Sequence, residues 1–154
     1  MANQYAYFIF ALILLAVAGG FITKAAVKVT DAEGYKTNKL LQKAHEHLTK
    51  ASVAVWITVP IMITLLIVLI IFAIEFLSSI IYLFIIILVP LVIYVGIEAS
   101  IAANDIRTSG TKNNNGSLYS SVIAAVISLG VVIFVVLYTI YSKFKKKTVK
   151  KTTK

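Results

Sequence analysis

"IIFAIEFLSSIIY", residues Ile70 to Tyr82, carries a single charge, Glu75. From Ala51 to Ile97 the chain runs for 47 residues with that one charge. As one straight helix the stretch would be about 70 Å long. The hydrocarbon core of a bilayer is only about 30 Å thick, so the chain is expected to turn back on itself. Each arm needs about 20 residues, which puts the turn near Glu75 to Ser79. "EFLSS" holds the only charge and the only adjacent serines of the run. Serine hydroxyls bond the backbone groups that a turn leaves open. A carboxylate at mid-bilayer costs roughly 2.5 kcal/mol or more and marks an ion or proton path. At an interfacial turn the same group costs little. Glu75 is therefore expected at a tight hairpin tip. Neither Glu75 nor Glu98 is given an ion or proton role by sequence.

Working outward, the chain has 154 residues, of which 60% are hydrophobic. Its mean hydropathy is +0.94. Globular domains sit near 45–50% apolar, and a soluble fold of this length would have too little interior for so much apolar area. Four segments are long and apolar enough to span: about 2–23, 51–74, 76–97 and 118–141. The expected fold class is thus an all-α integral membrane protein with four transmembrane helices. Residues 1–142 would form one membrane domain and 143–154 a polybasic tail. The first segment contains Ala16-Val17-Ala18, which resembles a signal-peptidase site. Its opening "MANQ" has no Lys or Arg and its apolar stretch exceeds a usual signal core, so a retained span is expected. Tyr5 and Tyr7 would lie at one interface and Trp56 at the other.

Before the second span, residues 37–50 read as an amphipathic helix. Leu40, Leu41, Ala44, Leu48 and Ala51 fall on one arc, and Lys36, Lys39, Lys43, Glu46 and Lys50 on another. This segment either lies on the membrane or continues into the second span as a rigid stalk. Thr30 to Glu33 has capping-box spacing. His45 and His47 are two residues apart, which points them about 160° away from each other on a helix, so one ion would not take both. No metal site is expected. Pro60 and Pro90 favour kinks at comparable distances from the hairpin tip. In the third connection, "SG" and "NNNG" punctuate turns. Asn115-Gly116-Ser117 is a formal sequon, and Ser117 is an expected N-cap. Small residues at Ser121, Ala124, Ala125, Ser128 and Gly130, and at Ala16 and Gly20, would let helices approach closely. They also offer a face for a homo-oligomer.

Charge is concentrated in two places. Six lysines lie between Lys24 and Lys50, and seven lie between Lys143 and Lys154 with no acid among them. The net charge is +9. Basic blocks of this kind meet anionic lipid, nucleic acid or acidic protein. The residues expected to meet such partners are Lys36, Lys39, Lys43 and Lys50 on one segment. On the tail they are Lys143, Lys145, Lys146, Lys147, Lys150, Lys151 and Lys154. Four spans place both termini on one side, and the lysine tail argues that this side is cytoplasmic. The first lysine block then lies on the opposite side, against the positive-inside rule.

The chain has no cysteine, which removes disulfides, thiolate metal sites and thiol nucleophiles together. It has no Gly-rich phosphate loop, no Ser/His/Asp set, no potassium-filter sequence and no ionisable residue deep in a span. No catalytic residue, cofactor or enzymatic activity is expected. The expected function is a non-catalytic structural membrane protein that anchors a bilayer to protein or nucleoprotein partners. Two alternatives stand beside it: a pore-forming or permeabilising oligomer, and an accessory subunit of a larger membrane complex. With four short spans, "NNNG" and the terminal "KFKKKTVKKTTK", the chain resembles the small Ile- and Lys-rich multi-span proteins of large icosahedral DNA viruses with an internal membrane. That resemblance implies a virion protein tying the inner membrane to minor capsid components or to the nucleoprotein core. It implies no role for any individual residue.

Overall fold

A computed structural model describes the backbone of residues 2–72, 77–110 and 116–152, and the side chains of residues 6–68, 84–110 and 116–142. Four helices account for nearly all of it: α1 Ala2–Thr30, α2 Lys39–Phe72, α3 Leu77–Thr108 and α4 Gly116–Thr152. No strand occurs among the described residues. All four helices are long and apolar enough to cross a membrane. Glu75, where the hairpin tip was expected, lies outside the described residues.

The helices form an antiparallel ring in chain order. α1 packs on α2 and α4, and α3 packs on the same two. Pairs along the seams set the register. His45 meets the carbonyl of Ala26, Lys28 meets Ser117, and the rings of Tyr7 and Tyr138 meet edge to face at 5.8 Å. Phe8 and Phe84 touch across the diagonal, with ring centroids 5.6 Å apart. The bundle therefore has a terminal end, with the start of α1, the finish of α2, the start of α3 and the finish of α4. The opposite, loop end holds the finish of α1 with the start of α2, and the finish of α3 with the start of α4.

The core follows from spacing. On α1 the buried Phe8, Ala11, Leu15, Ala18, Ile22, Ala25 and Val29 alternate steps of three and four, with Leu12, Gly19 and Ala26 buried beside them. On α2 Leu41, Ala44, Leu48, Ala51 and Val55 keep the same rhythm, one repeated step of four leads to Val59, and Met62 and Leu66 resume it past Pro60. On α4 Leu118, Val122, Ala125, Leu129, Val132, Val136 and Thr139 continue it. This is the heptad spacing of four-helix bundles, in which alternating large and small residues interdigitate. Because it runs past residue 23, α1 is longer than its apolar segment alone implies. It also runs through Leu41 and Leu48, so the amphipathic segment and the second apolar segment are one uninterrupted helix. The exposed arc of that segment carries Lys39, Lys43, Glu46 and Lys50.

The turns at the loop end correct two local expectations. Thr30 does not open a capping box. It closes α1, its hydroxyl donating to the Val27 carbonyl at 2.6 Å. The cap of α2 is Asn38, whose side-chain oxygen accepts from the Leu40 amide at 3.0 Å. Gly110, at φ +79°, ends α3 in the left-handed region that glycine enters without a Cβ clash. α4 begins at Gly116, so Ser117 is its second residue rather than its cap. α2 runs through Pro60 and α3 through Pro90.

Candidate functional site

Two features of the outer surface stand out, and both follow from where charge stops. On α1 nothing is charged between Ala6 and Thr23, on α2 between Ala51 and Val68, on α3 between Phe84 and Ile97, and on α4 between Leu118 and Ser142. The outward side chains in these stretches are large and apolar: Ile13, Ile57, Ile86, Ile93, Ile127 and Phe134 are each between 48% and 69% exposed. Continuous apolar surface on this scale is rare on a monomer in water. Charge begins at Lys24, Lys50 and Glu98, and past them toward the loop end most exposed side chains are polar, Val27 and Ile101 being apolar exceptions.

The loop end is tied together by hydrogen bonds between helices. His47 of α2 pairs through Nδ1 with the Glu98 carboxylate of α3 at 2.5 Å, and both side chains are partly buried. His45, on the other flank of α2, bonds the Ala26 carbonyl of α1 at 3.0 Å, and its ring meets that of Tyr35 edge to face. The two rings therefore serve different neighbours, α3 and α1. No group of three or more potential metal ligands occurs among the described residues. Thr23, Ser52 and Trp56 form a second knot between α1 and α2. The Trp56 indole donates to the Thr23 hydroxyl at 2.9 Å, Ser52 lies 2.7 Å from the same oxygen, and Thr23 donates to the Gly19 carbonyl. Beside it α1 and α2 come very close. The approach is at Gly19, where a Cβ would sit 2.6 Å from a methyl of Val55. Gly20, the residue singled out by spacing, has open space around it. On α4, Ser121 and Ala125 are buried while Gly130 faces outward.

The lysines expected to meet partners fall into two sets at opposite ends. Lys36 is exposed in the first connection, and Lys39, Lys43 and Lys50 are exposed along α2, all at the loop end. Lys50 is bonded to Glu46 one turn away at 2.6 Å. Lys143, Lys145, Lys146, Lys147, Lys150 and Lys151 lie on the last turns of α4, whose backbone stays helical to Thr152 at the terminal end. Their side chains, and all of Lys154, lie outside the described residues.

Sequence reading missed the His47–Glu98 pair, although a signal for it existed. A hairpin centred near residue 75 pairs positions whose numbers sum to about 150, which places the partner of His47 within about one and a half helical turns of Glu98. It also missed the groove between α2 and α3 lined by Thr49, Lys50, Val53, Ala54 and Tyr94.

No protein-family model, curated protein or solved structure matches this chain.

Proposed function

We propose that this chain is a four-span structural membrane protein that couples a bilayer to charged partners on its two faces. The charge-free stretches are about 20 residues long on each helix, which corresponds to about 30 Å of rise and to one hydrocarbon core. Trp56 and Tyr94 then lie at one interface and Tyr7, Tyr138 and Tyr141 at the other, as aromatic belts do. Glu75 belongs at the second interface, in the hairpin tip, and both termini share the tail's side, assigned as cytoplasmic. On the opposite face α2 and α3 rise about 15–18 Å beyond the bilayer as a stalk.

The observation that carries this reading is the arrangement of an apolar bundle between two basic ends. The described core is apolar except for Ser121 and Thr139. Their hydroxyls are turned back onto the carbonyls of Ser117 and Val135 in their own helix. A lumen for ions within one bundle would instead need polar groups aimed inward. The tail is read as the contact to an anionic partner, a nucleoprotein or an acidic protein face, and the loop end as the contact to membrane or capsid-type proteins. The resemblance to inner-membrane proteins of large icosahedral DNA viruses names one setting for that role. An accessory subunit of a larger membrane complex would differ only in its partner.

Lysine-reactive cross-linking with mass spectrometry, on the native membrane or particle, tests the proposal. Thirteen of the fourteen lysines lie in the two basic segments, so both ends are sampled. Links from the tail and from Lys36 to Lys50 to capsid-like or core proteins are the expected result. Links confined to subunits of a membrane enzyme or translocase would replace the viral setting with an accessory role. Ion flux in proteoliposomes, lost on changing one helix face, would overturn the structural reading.

A further inference from the structure

The groove between α2 and α3 has a volume of about 360 Å³ and opens to the outside of the bundle. That is within the lower range of small-ligand sites. Its lining combines apolar Val53 and Ala54 with Thr49, Lys50 and Tyr94, which carry polar groups. It straddles the level at which charge gives way to exposed apolar side chains: Lys50 is the last charge of α2, and Ile57 and Ile61 continue outward beyond it. A ligand seated here meets a cation and a hydroxyl at one end and a hydrocarbon surface at the other.

The local charges narrow the ligand further. Lys50 is flanked by two carboxylates. Glu46 holds it directly, and Glu98, on the facing helix, acts on both Lys50 and Tyr94. A headgroup with only a negative charge would face these two acids. A headgroup carrying both phosphate and ammonium meets both signs of charge: the Tyr94 hydroxyl turns to it from Glu98, which keeps His47. Phosphate bridges Lys50 and the Tyr94 hydroxyl, and the ammonium replaces Lys50 as the partner of Glu46. A quaternary ammonium has no N–H to donate to a carboxylate, so a primary ammonium fits best.

We propose that the groove beside Lys50 and Tyr94 is a binding site for one phospholipid with a phosphoethanolamine headgroup, its acyl chain running along Val53 and Ala54. The site rests on the membrane-spanning reading above. A lipid held there bridges α2 and α3 next to the His47–Glu98 pair, at the level where the bundle leaves the bilayer.

Native mass spectrometry of the full chain tests it, with micelles containing equal amounts of phosphatidylethanolamine, phosphatidylcholine and phosphatidylglycerol. The wild type should retain one phosphatidylethanolamine. Lys50→Ala and Tyr94→Phe should each retain about tenfold less, since each removes a bond to a charged group. Lys24→Ala, which removes an exposed cation at a similar level on α1, should behave as wild type. Equal retention of the three lipids, preference for phosphatidylglycerol, or undiminished retention in both variants would overturn the proposal. So would free phosphoethanolamine binding as tightly as the lipid. Trp56, the chain's single tryptophan, separates this failure from failure of the spanning reading. In vesicles, quenching of Trp56 by lipids brominated high on the acyl chain upholds the spanning reading whatever the variants do. Absence of quenching removes the spanning reading and the lipid site together.

Discussion

Gly19→Ala should reveal how closely α1 and α2 are packed. A Cβ at Gly19 lies 2.6 Å from Val55 Cγ1 and 3.4 Å from Val55 Cβ. Carbon atoms in contact sit about 3.5–4.0 Å apart, so the methyl must retreat by about 1 Å. Val55 is fully buried, and a helical valine has essentially one χ1 rotamer, so it has little room to give. Overpacking of this kind costs about 1–3 kcal/mol. Alanine also improves helix propensity over glycine by about 0.5–1 kcal/mol, which offsets part of the cost. The net loss expected is about 1 kcal/mol. In a Val55→Ala background the offending methyl is gone and the same change should be neutral or mildly stabilising. The coupling between the two sites is therefore about 1–3 kcal/mol. Reversible unfolding of micellar protein by SDS, followed by far-UV circular dichroism and by fluorescence of the neighbouring Trp56, measures all four corners. SDS-unfolded chains keep helix, so the propensity gain shrinks in this assay, but the cycle cancels it. Gly20→Ala, with nothing within 4 Å, is the control and should show no coupling to Val55. Additivity of Gly19→Ala and Val55→Ala within about 0.5 kcal/mol would refute the close approach.

Other perturbations have simpler readouts. Glu98→Ala leaves the partly buried His47 without its partner and should lower stability by about 1–2 kcal/mol, whereas Glu46→Ala, at an exposed pair, should leave the SDS midpoint unchanged. Gly110→Ala forces a Cβ into the left-handed region at the end of α3 and should cost about 1 kcal/mol in the same titration. Glu75→Gln should leave insertion and assembly unaltered in vesicle flotation and gel filtration. Loss of a transport activity in that variant would reverse the assignment of Glu75 to a turn.

Most of the architecture was legible because one quantity dominates it. Apolar length against bilayer thickness sets the number of segments, and the long run from Ala51 to Ile97 requires a reversal whatever its details. Helix ends were less legible. Residues 24–30 look like a charged connection because Lys24 and Lys28 are conspicuous, yet Ala25, Ala26 and Val29 keep the heptad and extend α1. The criterion of 20 apolar residues sees hydrocarbon thickness and is blind to a bundle that continues past it. Small residues misled for a related reason. Ala16 and Gly20 have the right spacing for a packed face, but in a chain apolar all round, spacing alone does not say which face turns inward. The heptad does, and it selects Ala11, Ala18 and Ala25, with Gly19 beside them. Polar pairs such as His47–Glu98 depend on two helices at once, so no pattern within one helix announces them.

The distribution of acids separates the two basic ends. Five of the six acidic residues, Asp31, Glu33, Glu46, Glu98 and Asp105, belong to the loop end. At the loop end Lys50 is paired at short range with Glu46, and four further acids are interspersed among the other cations. Short-range pairs of this kind leave little field beyond a Debye length of about 8 Å at physiological salt. The seven lysines after Ser142 have no acid among them, so their field adds and reaches further. If each end binds a partner, the two contacts should therefore respond differently to salt. Binding through the tail should weaken steeply as salt rises, and replacing its lysines with serine should remove most of that slope. Binding at the loop end should depend on shape and change little. A tail contact whose affinity is independent of salt would mean that the lysines act only as a topology signal.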